Sequence, residues 1–142
     1  MANEVIDIGN RRELFVDDTL IERKNGCDLK LQTPVGREVV LDHHEEWEGN
    51  TSYYHSIVGD DDRYRLYYRG SHYDEYADTI GDECVCYAES YNGITWRKPE
   101  LGLFSYKGSR KNNILRMDEI GTHNFVPFKD SRPGVPDSER YK

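Results

Sequence analysis

The sequence predicts an all-β fold. Short segments rich in β-branched and aromatic residues alternate with clusters of Gly, Asn and Asp along most of the 142 residues, and the spacing typical of amphipathic helices is almost absent. Aromatic residues make up 12% of the chain, and 11 residues are Tyr, whose ring packs while its hydroxyl stays hydrated. This composition suits strands with one partly hydrated face, or a surface that contacts carbohydrate.

The best predicted hairpin covers residues 53–69. In 63–69, Tyr64, Leu66 and Tyr68 share one face of a strand and the arginines share the other. A second strand is predicted over 53–58, and the polar stretch 59–62 joins the two as a tight loop. The three adjacent Asp residues of that loop could suggest calcium. A calcium loop needs ligands at alternating positions and a distal Glu, so we interpret them as a solvated hairpin tip.

Further strands are predicted after a polar excursion at 71–82 that is long enough to be a functional loop. The third strand is 84–90, and a short fourth strand, 94–97, ends at Pro99. Strands joined in sequence by tight turns form an antiparallel meander, which is how one propeller blade is built. Cys84 and Cys86 share one face of the third strand, and we expect them, with Cys27, to be reduced packing residues, because no second Cys pair completes a metal site.

A second set of strand candidates begins at 112–117 and continues at 124–128. The final residues, 140–142, match the Arg-Tyr-basic start of the strand at 63–65, and acidic turn residues precede both. We therefore expect the chain to stop inside a second blade. Before the first blade, apolar stretches could add outer strands or supply the strand that closes a ring. The predicted organisation is leading strands in 1–45 (candidates 13–18, 28–32 and 38–42), a first blade in 46–108 and the start of a second blade in 109–142.

The charge of the chain restricts its partners. A net charge of −8 disfavours nucleic acid and anionic membranes, and it is compatible with a neutral, hydroxyl-rich ligand or a cation. No apolar stretch has the length of a signal sequence or a membrane span, so a cytoplasmic location is the default, with secretion still open if the N-terminus is incomplete. Unpaired sheet edges predict self-association or poor stability in isolation.

Five motifs occur in order along nearly the whole chain, at residues 12–18, 46–50, 63–70, 86–90 with 93–96, and 123–128. In this order they resemble bacterial five-bladed β-propeller proteins related to glycoside hydrolase families 32 and 43. The resemblance implies a partial, truncated five-bladed propeller whose innermost strands line a central pocket. It also implies hydrolysis by carboxylates from the first strands of successive blades, a base or nucleophile, an assisting Asp and an acid Glu.

Site residues follow from this resemblance. Glu48 is the candidate catalytic base, although the family more often places Asp there, and a solvated loop Glu is the alternative. Asn124 stands where the assisting Asp is expected, and an amide does not ionise. His123 and Asn124 are therefore candidate substrate contacts, the alternative being a turn with a satisfied His. The other candidate substrate contacts are Trp47, Asn50, Arg69 and His72.

The acid Glu of the third blade is expected beyond residue 142. The resemblance therefore implies a fragment of a carbohydrate-active, glycoside hydrolase-like protein that is inactive alone. The alternatives are a non-catalytic sugar-binding or interaction module and an unrelated small β-domain. No cofactor is predicted. No metal is predicted either, because residues 43–46, His-His-Glu-Glu, lack the spacing of helical zinc motifs.

Overall fold

A computed structural model describes residues 5–117 and 121–142. The chain divides into two units, Met1–Arg37 and Glu38–Lys142. The strands of the described residues all lie in the second unit, as does a short 3-10 helix, Asp137–Glu139. The protein is mostly β, as the sequence predicts. Within 5–117 and 121–142, no helix has the length and apolar character needed to cross a bilayer.

The described part of the first unit, residues 5–37, is irregular, with turns and bends at 9–10 and within 16–26. Asp7 accepts a hydrogen bond from the Gly9 amide (2.8 Å), and Asp17 accepts one from the Thr19 amide (2.9 Å). The strands expected at 13–18 and 28–32 are not present here, and 38–42 in the second unit is not a strand either. Apolar and β-branched composition alone does not make a strand, because its backbone groups need a partner segment.

The second unit contains one main antiparallel sheet. Its strands occur in the order β1-β2-β5-β6, and the two shortest strands, β3 and β4, pair separately inside the predicted 71–82 loop. The strands are β1 (Tyr53–Asp60), β2 (Arg63–Gly70), β3 (Tyr73–Asp74), β4 (Thr79–Ile80), β5 (Cys84–Ser90) and β6 (Ile114–Arg116).

The predicted hairpin is confirmed. β1 pairs with β2 from Asp60 opposite Arg63 to Tyr53 opposite Arg69, with an irregularity between Tyr53 and Ser56. Tyr54 lies within this irregular stretch and has a positive φ of 59°. A positive φ is uncommon for a large aromatic residue, so the bend re-aims its side chain away from the regular alternation of the strand.

The fourth strand of the sheet differs from the expected one. Residues 94–97 contribute only an isolated bridge, between Arg97 and Glu89. Instead, Ile114–Arg116 pairs with β5, with Cys86 opposite Ile114. The expected start of the second blade at 109 therefore does not coincide with the end of the first sheet. Sequence spacing does not reveal which distant segment completes a sheet, since pairing depends on where the 91–113 connection returns.

The core lies on one face of the sheet. Tyr68, Cys86 and Ile114 are buried there, and β5 is buried along its whole length. Cys84 and Cys86 share this face, as predicted, with their sulfur atoms 3.6 Å apart, and all three cysteines are free thiols. Partly buried hydrophobic residues cover the cluster: Leu41, Trp47, Trp96, Phe104, Tyr106 and Met117.

Two glycines allow the 43–49 segment to cross the end of β2 at close range. A Cβ at Gly49 would lie 2.1 Å from the Ser71 carbonyl oxygen, and a Cβ at Gly70 would lie 2.5 Å from the Trp47 carbonyl oxygen. Gly49 also has a φ of 65°. Backbone hydrogen bonds from Ser71 to Glu48 and from Thr51 to Ser71 hold this crossing together. The contact requires glycine and places Glu48 inside the protein.

Candidate functional site

Glu48 is fully buried at the centre of a polar network. Tyr68 donates a hydrogen bond from its hydroxyl to Glu48 Oε1 (2.5 Å), and Lys98 Nζ lies 2.6 Å from the same oxygen. Oε2 accepts hydrogen bonds from Lys98 (2.8 Å) and from the Glu45 amide (3.0 Å). His43 Nδ1 lies 3.6 Å from Oε1. We call Glu48, His43, Tyr68 and Lys98 the Glu48 network.

The Glu48 network keeps the carboxylate ionised. Burial raises the pKa of Glu48, and the nearby His43 together with hydrogen bonds from Lys98 and Tyr68 overcomes this effect and brings the pKa to about 2. Burial also raises the pKa of Tyr68, so its phenol remains a donor. A carboxylate with so low a pKa is a weak general base. The geometry therefore favours a structural role for Glu48 over the predicted catalytic role, and the alternative of a solvated loop residue is wrong.

Trp47 and Asn50 also have partners inside the protein. The Trp47 indole donates a hydrogen bond to Asn113 Oδ1 (2.7 Å). Asn50 clamps the backbone of Tyr73, accepting from its amide (2.8 Å) and donating to its carbonyl (3.0 Å). These contacts position the 71–82 loop beside β2. His72 lies near the start of this loop and lines an open groove of about 540 Å³ together with Asn50.

Arg69 and His123, two predicted substrate contacts that are 54 positions apart, meet at the end of β2. His123 Nδ1 lies 2.9 Å from Arg69 Nη1 and 2.9 Å from Glu83 Oε1. Arg69 Nη1 lies 3.0 Å from the same Glu83 oxygen. The guanidinium of Arg69 also sits over the ring of Tyr54, 4.8 Å from its centroid. We call Tyr54, Arg69, Glu83 and His123 the Arg69 cluster.

The Arg69 cluster borders an open groove of about 610 Å³. Glu83 and His123 line this groove with Asp82, Ile80 and Thr122. Tyr53 and Tyr54 are exposed on the neighbouring strand, at 59% and 46%. The arrangement combines exposed aromatic faces with a cation, a carboxylate and an imidazole, which are the groups that orient a polar ligand. Asn124, the remaining predicted contact, is exposed directly after His123.

Sequence reasoning missed Tyr53, Tyr54 and Glu83. The adjacent tyrosines were visible only as the start of a strand, and the bend that turns Tyr54 toward His123, with ring centroids 5.6 Å apart, has no signature in the residues. Glu83 directly precedes β5, at the end of a loop identified as long enough to be functional. The position of a carboxylate where a long loop meets a strand was the sequence signal that could have identified Glu83.

Comparison with known proteins adds no relative. No protein-family model, no curated protein and no solved structure matches this chain. The case for a function therefore depends on the sequence motifs and on the geometry of the two clusters.

Proposed function

We propose that this chain binds carbohydrate, on a β-propeller blade related to those of glycoside hydrolase families 32 and 43. The observation that carries the binding proposal is the Arg69 cluster, where Glu83 and His123 line a groove and contact Arg69, whose guanidinium lies over the ring of the exposed Tyr54. A sugar ring presents C–H bonds on its faces and hydroxyls around its edge. Aromatic faces suit the former, and charged or imidazole groups hydrogen-bond the latter.

The order of the main sheet supports the propeller part of the proposal. Its four strands follow one another across the sheet in chain order, as in the antiparallel meander of a blade. A second pairing lies near the C-terminus, where Phe128 and Lys142 exchange backbone hydrogen bonds of 2.9 and 3.1 Å. Lys129 and Tyr141 of this pairing both contact Asp60 at the end of β1. A second blade that begins beside the first would place its first hairpin there.

The proposal is restricted to binding because hydrolysis needs two positioned carboxyl groups. Glu48, the carboxylate predicted to act as base, has both oxygens engaged by other residues of the network. Glu83 is half-buried against Arg69 and His123, which suits a carboxylate that accepts hydrogen bonds from a bound hydroxyl. A non-catalytic sugar-binding module is the interpretation that this geometry favours.

A titration of the 142-residue chain with a panel of neutral oligosaccharides, followed by NMR, tests the proposal. We expect saturable shifts for residues of the Arg69 cluster and at least about tenfold weaker binding by Tyr54→Ala, because the stacking face is lost. Tyr76→Ala is the matched control, since Tyr76 is fully exposed on the 71–82 loop. Equal affinity of the two variants, or no binding across the panel, would overturn the proposal.

A second assay distinguishes binding from cleavage. The same chain is incubated with aryl-glycosides, and we expect no release of the aryl group above the buffer background. Turnover that Glu48→Gln abolishes would instead assign a catalytic role to Glu48. Circular dichroism of that variant establishes that it is folded.

A further inference from the structure

Two histidines converge on one point beside the Glu48 network. His55 Nε2, on β1, lies 2.8 Å from His43 Nε2, on the segment before the sheet. The ring centroids are 4.9 Å apart, and the planes meet at 48°. At most one hydrogen can lie between the two nitrogens, so at least one of them presents a lone pair toward the other ring.

The surroundings hold both rings in place. Tyr68 stacks on His55, with ring planes 10° apart and centroids separated by 5.6 Å, and it contacts His43 at 4.6 Å. The Nε2 atoms of His43 and His55 are therefore held side by side on the exposed side of β1.

The far side of His43 supplies a second, independent observation. His43 Nδ1 is buried and has no hydrogen-bond partner in the described structure, yet it faces Glu48 Oε1 at 3.6 Å. A metal-bound His directs its other ring nitrogen, as N–H, at a carboxylate in many sites, because this fixes the tautomer and strengthens the ligand. A hydrogen on Nδ1 leaves Nε2 of the same ring free to bind.

We propose that His43 and His55 form a site for a divalent transition metal, with Glu48 orienting His43. Imidazole donors select zinc, nickel or copper over calcium and magnesium. Ligand nitrogens about 2.0–2.1 Å from a tetrahedral ion lie about 3.3 Å apart, so the pair opens by roughly 0.5 Å when it binds. Water completes the coordination, since no group of three or more His, Cys, Asp and Glu side chains that could hold a metal occurs among the described residues.

Sequence reasoning excluded zinc by considering His43 and His44 together. Adjacent histidines point apart, whereas the partner of His43 in the structure is His55, twelve positions later. The net charge of −8 adds a field that attracts a cation. This site is separate from the Arg69 cluster and does not depend on carbohydrate binding.

Titration of the whole chain with zinc chloride by calorimetry tests the site. Cys27 is an exposed free thiol, so the titration uses a Cys27→Ser background. We expect one zinc per chain, and at least about tenfold weaker binding by both His43→Gln and His55→Gln. His44→Gln is the matched control, because His44 is the exposed neighbour of His43, and it is expected to bind as the parent does.

Long-range ¹H–¹⁵N spectra of the imidazoles provide a readout that a structural role would not move. Zinc is expected to shift Nε2 of both His43 and His55 and to leave a hydrogen on His43 Nδ1. Unchanged affinity in His55→Gln, an equal loss in His44→Gln, or no zinc binding by the parent would overturn the proposal. His55 is exposed on an edge strand, so its variant is expected to fold even if His43→Gln does not.

Discussion

The Glu48 network and the Arg69 cluster contain the same kinds of side chains in different surroundings. Both combine a carboxylate with a cation, a His and a Tyr, and both lie along β2. In the Glu48 network the carboxylate is fully buried, whereas in the Arg69 cluster Arg69 and Glu83 are largely buried and His123, with 52% of its side chain exposed, opens onto a groove. The comparison shows that exposure of one member to a groove, more than residue type, separates a candidate binding site from a cluster around a fully buried carboxylate.

Removal of Glu48 is expected to have the largest effect. Glu48→Ala leaves the half-buried Lys98 and the buried Tyr68 hydroxyl without their carboxylate partner, and we expect the free energy of unfolding to fall by about 3–5 kcal/mol. Urea unfolding monitored by circular dichroism measures this. Glu46→Ala is the control, since Glu46 forms only an exposed ion pair with Lys107, and its expected change is within about 0.5 kcal/mol. Similar losses in both variants would remove the distinction between the two clusters.

Acid should weaken the Glu48 network selectively. The pKa of Glu48 is depressed from its ordinary value of 4.5 to about 2 in the folded protein. A depressed folded pKa gives stability that is complete above about pH 4.5 and is lost as the pH falls toward 2. The difference in unfolding free energy between the parent and Glu48→Gln should therefore be constant above this window and shrink within it. A difference that does not vary with pH would contradict the assigned pairing.

The smallest expected effect on stability belongs to the Arg69 cluster. His123→Ala removes a half-exposed side chain whose ion pair with Glu83 is partly screened by water, so we expect a loss of less than about 1 kcal/mol. Unfolding of His123→Ala, Glu83→Gln and the double variant gives the coupling between the two residues. A loss above about 2 kcal/mol in His123→Ala would place this cluster with the structural contacts.

The fold was predictable where the information is local. Alternation and a polar turn identify β1 and β2, and a run of apolar and small residues identifies β5. β6 was assigned to a later blade because no local sequence pattern shows that the 91–113 connection brings it back to pair with β5. The strand predictions in the first unit failed for the opposite reason. Its apolar stretches resemble strands, but strand formation requires partner backbone that a sequence pattern does not show.

The sequence identified several residues of the candidate site but did not show what role each of them has. Arg69 and His123 were both identified as ligand contacts, and the structure brings them together. Glu48 was identified as a distinctive carboxylate, but its partners Tyr68 and Lys98 lie 20 and 50 positions away, so its burial was invisible. The same is true of the His43 and His55 pair, which is created by the return of β1 past the 43–49 segment.

Both ends of the 71–82 loop are held in place, and this determines where its length and sequence can change. Hydrogen bonds of Ser71 with Glu48 and Thr51 hold one end, and the contact of Glu83 with Arg69 holds the other. Because loop-closure entropy grows slowly with length, residues can be added or removed in the 75–78 turn between β3 and β4 at little energetic cost. Exchange of this turn can therefore change the surface beside the neighbouring groove while the strands keep their register.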